Sequence, residues 1–212
     1  EYSTAHVMST SFEEGENVSS LLVADLSQSR RNELSKSSLA LFLQELFVWH
    51  EIQTDPNFGN YRIRIAPDGV NDQIVLLDFG AVQKYPASFI DPVCQMISAA
   101  YHTDVEGVIK GGIALQFMKP EWPQSVLIEF AEVCIAVLEP LAKSLPDVGQ
   151  NAVNELGEYC WHDSDLPSRI AKRAAVSAIS RYFKIPPKEF VFLNRKLVGV
   201  YTFISVLKGQ FN

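Results

Sequence analysis

"QTDPNFGN", residues 53–60, and "LLDFG", residues 76–80, decide how this chain is read. Both are built from turn-forming residues. Asp55-Pro56 and Gly59-Asn60 favour loops, because the pyrrolidine ring fixes φ and lacks an N–H, while Gly and Asn tolerate turn conformations. Taken singly, these pairs and an Asp-Phe-Gly tripeptide are explained as ordinary turns. Their order carries more: an apolar helix, then Asp55, then Asn60 five positions on, a hairpin, and a short apolar run ending at Asp78. Phosphoryl transfer uses that order, with one carboxylate orienting the nucleophile while an amide and a second carboxylate hold Mg²⁺ against the phosphates. Asp55 is therefore the candidate catalytic base, and Asn60 and Asp78 are the candidate metal ligands. Gln53, Pro56, Gly59, Phe79 and Gly80 are the supporting residues. Pro56 and Gly59 keep the loop from being helical, Gly80 frees the backbone after the metal ligand, and Phe79 is expected to pack back into the core.

Working outward, "YRIRI" (61–65) alternates and "QIVLL" (73–77) is a short apolar run, with Pro, Asp, Gly and Asn between them, so the two predict a hairpin. Upstream, Leu39, Phe42, Leu43, Leu46, Phe47 and Trp49 recur at three and four, predicting an amphipathic helix from Ser37 to His50–Ile52. Residues 2–12 mix β-branched and aromatic residues and predict a short strand before the "EEGENVS" turn. After Asp-Phe-Gly the pattern is helical to the end, over 86–102, 104–117, 121–144, 148–160, 164–182 and 187–208, punctuated by Pro120, Pro123, Pro146, Pro167 and Pro186-Pro187. His50 reads as a surface or capping residue, Phe58 as a packing residue, and Trp122 and Trp161 as core. Asp104, Glu106, His162 and Asp163 read as helix-end polar groups. Arg169, Lys172 and Arg173 read as the solvated face of a helix.

With 212 residues, 47% of them hydrophobic and 20% charged, the chain can bury one large core or two small ones. A net charge of -7 and a pI near 5.1 leave no basic stripe to neutralise many phosphates, which argues against nucleic acid as a partner. Cys94, Cys134 and Cys160 are odd in number and lack metal-ligand spacing, so buried reduced thiols in an intracellular compartment are expected. The two most apolar stretches are interrupted by Glu129, Glu132 and Glu139, and by Asn194, Arg195 and Lys196, so neither is expected to span a bilayer. No signal-like segment opens the chain, and a start at Glu1 instead of Met suggests a processed or truncated product.

"LFVWHEIQTDPNFGN" (46–60) with "LLDFGAVQKYP" (76–86) resembles the UbiB-like atypical kinases, whose catalytic loop is usually His-x-Asp-Pro-x-x-Gly-Asn and whose metal loop is Leu-Leu-Asp-Phe-Gly. The variant Gln-Thr-Asp-Pro-Asn at 53–57 looks like the branch associated with coenzyme Q biosynthesis. "YSTAHVMSTSFEEGE" resembles that family's interlobe hinge, and "IPPKEFVFLNRKLVGVYTFISVLKG" its closing helix, so the resemblance covers nearly all of the chain. It implies a mainly α (α+β) fold, equivalent to a protein-kinase C-lobe with a small β-hairpin at the active site. Residues 1–20 would be the hinge strand and turn, 37–85 the catalytic and metal-binding core, and 86–212 a helical subdomain. It also implies Mg²⁺ and ATP as cofactors and an ATPase or small-molecule kinase activity supporting ubiquinone production. A small or lipid-like acceptor, peripheral membrane contact, and a cytoplasmic or mitochondrial-matrix location follow from the same resemblance.

The chain also departs from the family pattern. Gln53 stands where most members carry His, and Gln hydrogen-bonds but does not titrate, which puts a proton relay at that position in doubt. The N-lobe elements, a loop over the phosphates, a Lys paired with them and its positioning Glu, have no counterpart in these residues, nor does the family's Lys-x-Gly-Gln signature. The expectation is a missing N-lobe and a chain inactive alone. Too few residues separate Gly80 from Pro86 for a long activation segment, so a protein substrate is not expected. Two rivals stay open. An aminoglycoside- or choline-kinase-like phosphotransferase usually carries His-Gly-Asp where this chain has Gln53-Thr54-Asp55. A non-catalytic, pseudokinase-like interaction module agrees with a missing N-lobe but gives no reason for Asp55, Asn60 and Asp78 to be intact.

Overall fold

Ser20 and Ser27 set where the chain first turns helical, because each side-chain oxygen accepts a first-turn backbone N–H, from Val23 and Arg30 respectively. In the computed structural model, which describes residues 2–142, 152–178, 182 and 187–212, these caps open α1 (Leu21–Ala24) and α2 (Gln28–Gln44). The predicted start at Ser37 is therefore too late. Residues 28–36 are polar enough to hide the helical period, and the Ser27 cap starts the helix instead. At its far end α2 widens into a π-helix, Glu45–Trp49, closed by His50 in the left-handed region at φ 55°. His50 is thus the helix cap that the sequence suggested.

Two very short antiparallel ladders follow. β1 (Glu51–Gln53) pairs with β4 (Val82–Lys84), with Gln53 opposite Val82. Between them, β2 (Tyr61–Arg64) and β3 (Gln73–Leu76) form the expected hairpin, with Tyr61 opposite Leu76. The strand expected over residues 2–12 is absent. That segment is largely exposed, and the approach to the sheet is limited to one bridge between Glu16 and Ile63. β-Branched residues alone could not make a strand there without a partner edge.

The helical remainder is α3 (Ala87–Tyr101), α4 (Val105–Ala114), α5 (Gln124–Val137), α6 (Leu166–Ala178) and α7 (Lys188–Val206). Pro86, Pro123 and Pro187 stand at N-cap positions, and Asp104 caps α4 by accepting the Gly107 N–H at 3.0 Å. One predicted helix is wrong. Of residues 148–160, those from 152 on are described, and they hold a bridge from Val153 to Tyr159 and β5 (Tyr159–Cys160), paired with β6 (Gln210–Phe211). The predicted ends at 143–144 and 179–181, and Pro146 and Pro186, lie outside the described residues.

Two apolar clusters hold the elements together. The larger gathers Leu46, Ile52, Ile90, Val108 and Ala131, each completely buried, with Trp161 among its aromatic members. The smaller joins Val18, Val23, Leu34 and Ile63 to Phe203 and Leu207. Full burial of such a side chain contributes about 1.5–3 kcal/mol. α7 serves both clusters, sending Val200 and Ile204 to the first and Phe203 to the second. It is therefore fixed across the hairpin and the loop after β1. The three cysteines are free, Cys160 buried and the others partly so, and burial pushes the thiols of Cys94 and Cys134 up to about 11 and about 12. At neutral pH they stay protonated and unreactive.

Two ion pairs tie distant segments together, and the first differs from the solvated face that the sequence suggested. Arg169, expected on a solvated face, grips Glu139 through both terminal nitrogens at 2.8 Å and meets Asp165 at 2.7 Å. Glu139 is buried and also accepts from the Tyr159 hydroxyl at 3.0 Å, so it requires a cation. Arg30 bolts the hairpin turn to α2 through Asp72, whose carboxylate also accepts the Ala66 N–H at 2.9 Å. The Arg30 guanidinium, aided by that N–H, holds the Asp72 carboxyl below the usual range. A lowered native pKa stabilises the fold above the ordinary carboxylate range, and the contribution is lost as pH falls through the native value. Asp72→Asn should therefore lower the urea midpoint at pH 7, with the gap from the parent closing in acid; a gap unchanged at pH 3 would refute this.

Candidate functional site

Asp55 lies just beyond β1 and Asp78 just before β4, so the β1–β4 ladder brings the two loops together. Asn60 precedes β2, and its carbonyl accepts the Leu77 N–H at 2.9 Å, one residue before Asp78. All three sequence-predicted residues thus stand at the ends of two ladders whose registers fix them. Thr54 locks the first loop to the second, donating its N–H (3.1 Å) and its hydroxyl (2.9 Å) to the Ala81 carbonyl.

Within the site, Asn60 Nδ2 donates to Asp55 Oδ2 at 3.0 Å. A carboxylate only accepts, so this contact orients the amide and leaves Oδ1 as its acceptor end. Asp55 Oδ1 meets Arg195 of α7 at 3.0 Å. Gln53 is buried and acts as a stitch, its Oε1 accepting the Asp55 N–H and its Nε2 donating to the Asp78 carbonyl at 2.9 Å. Asp78 is exposed and folds over its own loop, Oδ1 accepting the Gly80 N–H at 2.7 Å. Gly80 is not in the left-handed region, and a Cβ there would stand 3.1 Å from Asp78 Oδ1, a tight approach that this side chain would have to relieve by a small shift.

Pro56 packs against Gly199 of α7, and Phe58 meets Phe203 edge-on with ring centroids 5.9 Å apart, as its packing role predicted. Asn57 Oδ1 accepts the Gly59 N–H at 2.9 Å, which closes the turn before Asn60. Phe79 does not return to the core: it is 60% exposed. The loop between β3 and β4 turns its ring outward, where it lines a cavity of about 260 Å³ together with Trp49, Gln53, Asn60, Asp78 and Lys196. On the other side of the loop, a more open groove of about 620 Å³ runs between Pro56, Phe58, Asn194, Arg195 and Val198.

Asn60 and Asp78 offer an amide oxygen and a carboxylate to the smaller cavity, a hard-oxygen set that suits Mg²⁺, which takes one or two protein ligands and completes its shell with water and phosphate. No group of three or more His, Cys, Asp or Glu able to hold a metal occurs among the described residues, so a self-sufficient protein cage of the zinc type is not what these side chains build. Tyr61 stays neutral: burial, with Glu45 and Asp55 adding, pushes its phenol up to about 12.

Three contributors escaped the sequence reading: Arg195, Lys196 and Glu45. Lys196 and Glu45 form an ion pair of 2.9 Å at the cavity, 3% and 7% exposed. The usable signal was a charge inside an apolar run, since Glu45 interrupts "LFLQELFVW" and Arg195-Lys196 interrupts the last helix.

Two short ladders bring Asp55, Asn60 and Asp78 close together, Asn60 and Asp78 on one cavity and Asp55 bonded to Asn60, within a domain of mixed helix and strand. Residues 1–111, just over half of the chain, match the ABC1 atypical kinase-like domain, and the protein belongs to that family, the UbiB atypical kinases. Similar proteins include the probable serine/threonine-protein kinase abkA of Dictyostelium discoideum, 27% identical over 212 residues, covering 100% of this chain and 36% of that one. The mitochondrial atypical kinase coq-8 of Caenorhabditis elegans is 28% identical over 209 residues, covering 99% of this chain and 26% of its own length. The mitochondrial atypical kinase COQ8B of Danio rerio is 31% identical over 195 residues, covering 89% of this chain and 27% of its own length. The chain thus spans between 26% and 36% of the length of these relatives. Among the described residues, no helix is long and apolar enough to cross a membrane.

Proposed function

We propose that these residues are the C-terminal catalytic lobe of a UbiB-type kinase or ATPase, acting on Mg²⁺-ATP in support of ubiquinone biosynthesis. The observation that carries this reading is that Asn60 lines one cavity with Asp78 while donating to Asp55 at 3.0 Å. Asn60 and Asp78 would hold Mg²⁺, which supplies charge neutralisation at the phosphates. Asp55 would accept a hydrogen bond from the attacking hydroxyl or water and orient it, with Asn60 and Arg195 steadying its two oxygens. The exposed rings of Trp49 and Phe79 offer flat apolar faces at the rim of the same cavity. A phosphate-covering loop and its lysine would come from an N-lobe outside these residues, consistent with relatives several times longer. The turn from Gly80 to Pro86 is short and partly taken up by β4, which favours a small or lipid-like acceptor over a peptide. By analogy with relatives named as mitochondrial, the matrix side of a membrane is the proposed setting.

Calorimetric titration of the chain with ATP, with and without Mg²⁺, tests the reading. Binding that requires Mg²⁺ is expected. Heat independent of the metal would refute a preformed metal half-site; no heat at all would mean that these residues do not hold nucleotide by themselves, and repeating the titration with the upstream sequence restored separates an incomplete kinase from a non-catalytic interaction module.

A further inference from the structure

The buried stripe of α7 comprises Leu193, Lys196, Val200, Phe203 and Ile204. Its spacing calls for an apolar residue where Lys196 stands. Burying an ammonium is costly, and an ion pair in such a place is commonly no more stabilising than apolar residues of similar volume. Fold stability therefore gives no reason for the pair. Its connections do. Lys196 Nζ lies 2.9 Å from Glu45 Oε2, and Glu45 Oε1 accepts the Gln53 N–H at 3.3 Å. Gln53 in turn accepts the Asp55 N–H and donates to the Asp78 carbonyl at 2.9 Å. A single line of contacts thus leads from α7 to the main chain of both site carboxylates. Glu45 also opens the π-helix, a wide turn frequent at functional sites.

We propose that the Glu45–Lys196 pair is a positioning element of the site, holding Gln53 so that Asp55 and Asp78 keep their mutual placement. Neither residue need touch the reacting atoms. The inference rests on the Mg²⁺-ATP reading only for its effect on binding; its effect on the loop is independent of it.

The test is the double variant Glu45→Leu with Lys196→Met, which removes both charges and the acceptor for Gln53 while keeping apolar volume. Three quantities are read: the thermal midpoint, the affinity for Mg²⁺-ATP, and hydrogen exchange at the Asp55 amide, with the Ile63 amide as control because it is bonded instead to the Glu16 carbonyl at 2.8 Å. The expected result is a folded protein with a midpoint at or above the parent, faster exchange at Asp55 but not at Ile63, and Mg²⁺-ATP affinity about tenfold weaker, as for loss of partners behind metal ligands. A folded variant with parental exchange at Asp55 overturns the proposal. Should the parent bind no Mg²⁺-ATP, these residues do not hold nucleotide by themselves, while the exchange result still decides the positioning claim. A second apolar pair, Glu45→Met with Lys196→Leu, covers poor packing of the first. Loss of the fold in both overturns the proposal, because the core would then be what requires the pair.

Discussion

Asp78→Asn is expected to remove the Mg²⁺-dependent part of ATP binding while leaving the fold in place. The two consequences separate because the two oxygens of Asp78 have different tasks. Oδ1 accepts the Gly80 N–H at 2.7 Å and shapes the loop, and an asparagine carbonyl can take over that bond. What asparagine cannot replace is the negative charge that a hard divalent cation requires in a site with only two protein ligands. Asp78 is exposed and carries none of the core, so the thermal midpoint should stay close to the parent's. The affinity for ATP with Mg²⁺ should fall on the order of a hundredfold, at least the upper end of what even partners behind metal ligands cost. Without Mg²⁺ the variant, like the parent, should give no binding heat. Asp78→Ala then becomes informative, since it also removes the acceptor for Gly80 and should loosen the loop in addition. If Asp78→Asn titrates with Mg²⁺-ATP like the parent, the carboxylate is not a metal ligand, and the cavity beside Phe79 serves something else.

Asp55, Asn60 and Asp78 could be singled out as candidates because they are close in sequence and of types whose chemistry is specific, and the structure brings them near one another. Asp55, Asn60 and Asp78 needed no long-range knowledge; the hairpin between them follows from alternation around a Pro-Asp-Gly turn. The helices α3, α4, α5 and α7 were legible for a related reason, since proline or aspartate marks each start. Pairings between distant segments left no such mark. β1 and β4 have three residues each, too few for any period, and each becomes a strand only because the other lies beside it. β5 is similar, as Tyr159 pairs with Phe211 at the far end of the chain. Ala152, Leu156 and Tyr159 stand four and three apart, a spacing compatible with the helix expected over 148–160. Phe79 was misplaced because an aromatic residue after a metal-loop aspartate is apolar enough to suggest the core, whereas the loop geometry turns it to the cavity rim. Arg195 and Lys196 appeared only as interruptions of an apolar helix. Their partners give that interruption its meaning: exposed Arg195 meets Asp55, and buried Lys196 pairs with Glu45 at the cavity.

Gly199→Ala, a change of one methyl group far along the chain from the motifs, is expected to disturb the site as much as a substitution within it. A Cβ at 199 would stand 2.1 Å from Pro56 Cβ and 3.0 Å from Pro56 Cγ, and the first of these distances requires displacement. Neither side can yield easily. Pro56 is a ring with a fixed φ, directly after Asp55. α7 is pinned by Val200 and Ile204 in one cluster and Phe203 in the other, so moving the helix would disturb both. The loop after β1 is the softer partner, because beyond the Thr54 bonds to Ala81 its Asp55 is held by single hydrogen bonds involving Gln53, Asn60 and Arg195. The new methyl should therefore push the Pro56 loop away from α7 and break the Asp55–Arg195 and Asp55–Asn60 contacts. Forcing a methyl into a packed contact costs about 1–3 kcal/mol, which urea unfolding would register. The diagnostic result is local: hydrogen exchange at the Asp55 amide should accelerate, while the Ile63 amide, held to Glu16 at 2.8 Å, should keep its protection relative to the new global stability. Relief should come from the partner side. Pro56→Gly in the Gly199→Ala background removes the ring that the methyl meets and should recover part of the lost stability, although the same change alone should destabilise by freeing the loop. Additive losses in the two single variants and the double variant would mean that the Gly199–Pro56 approach does not couple the last helix to the site.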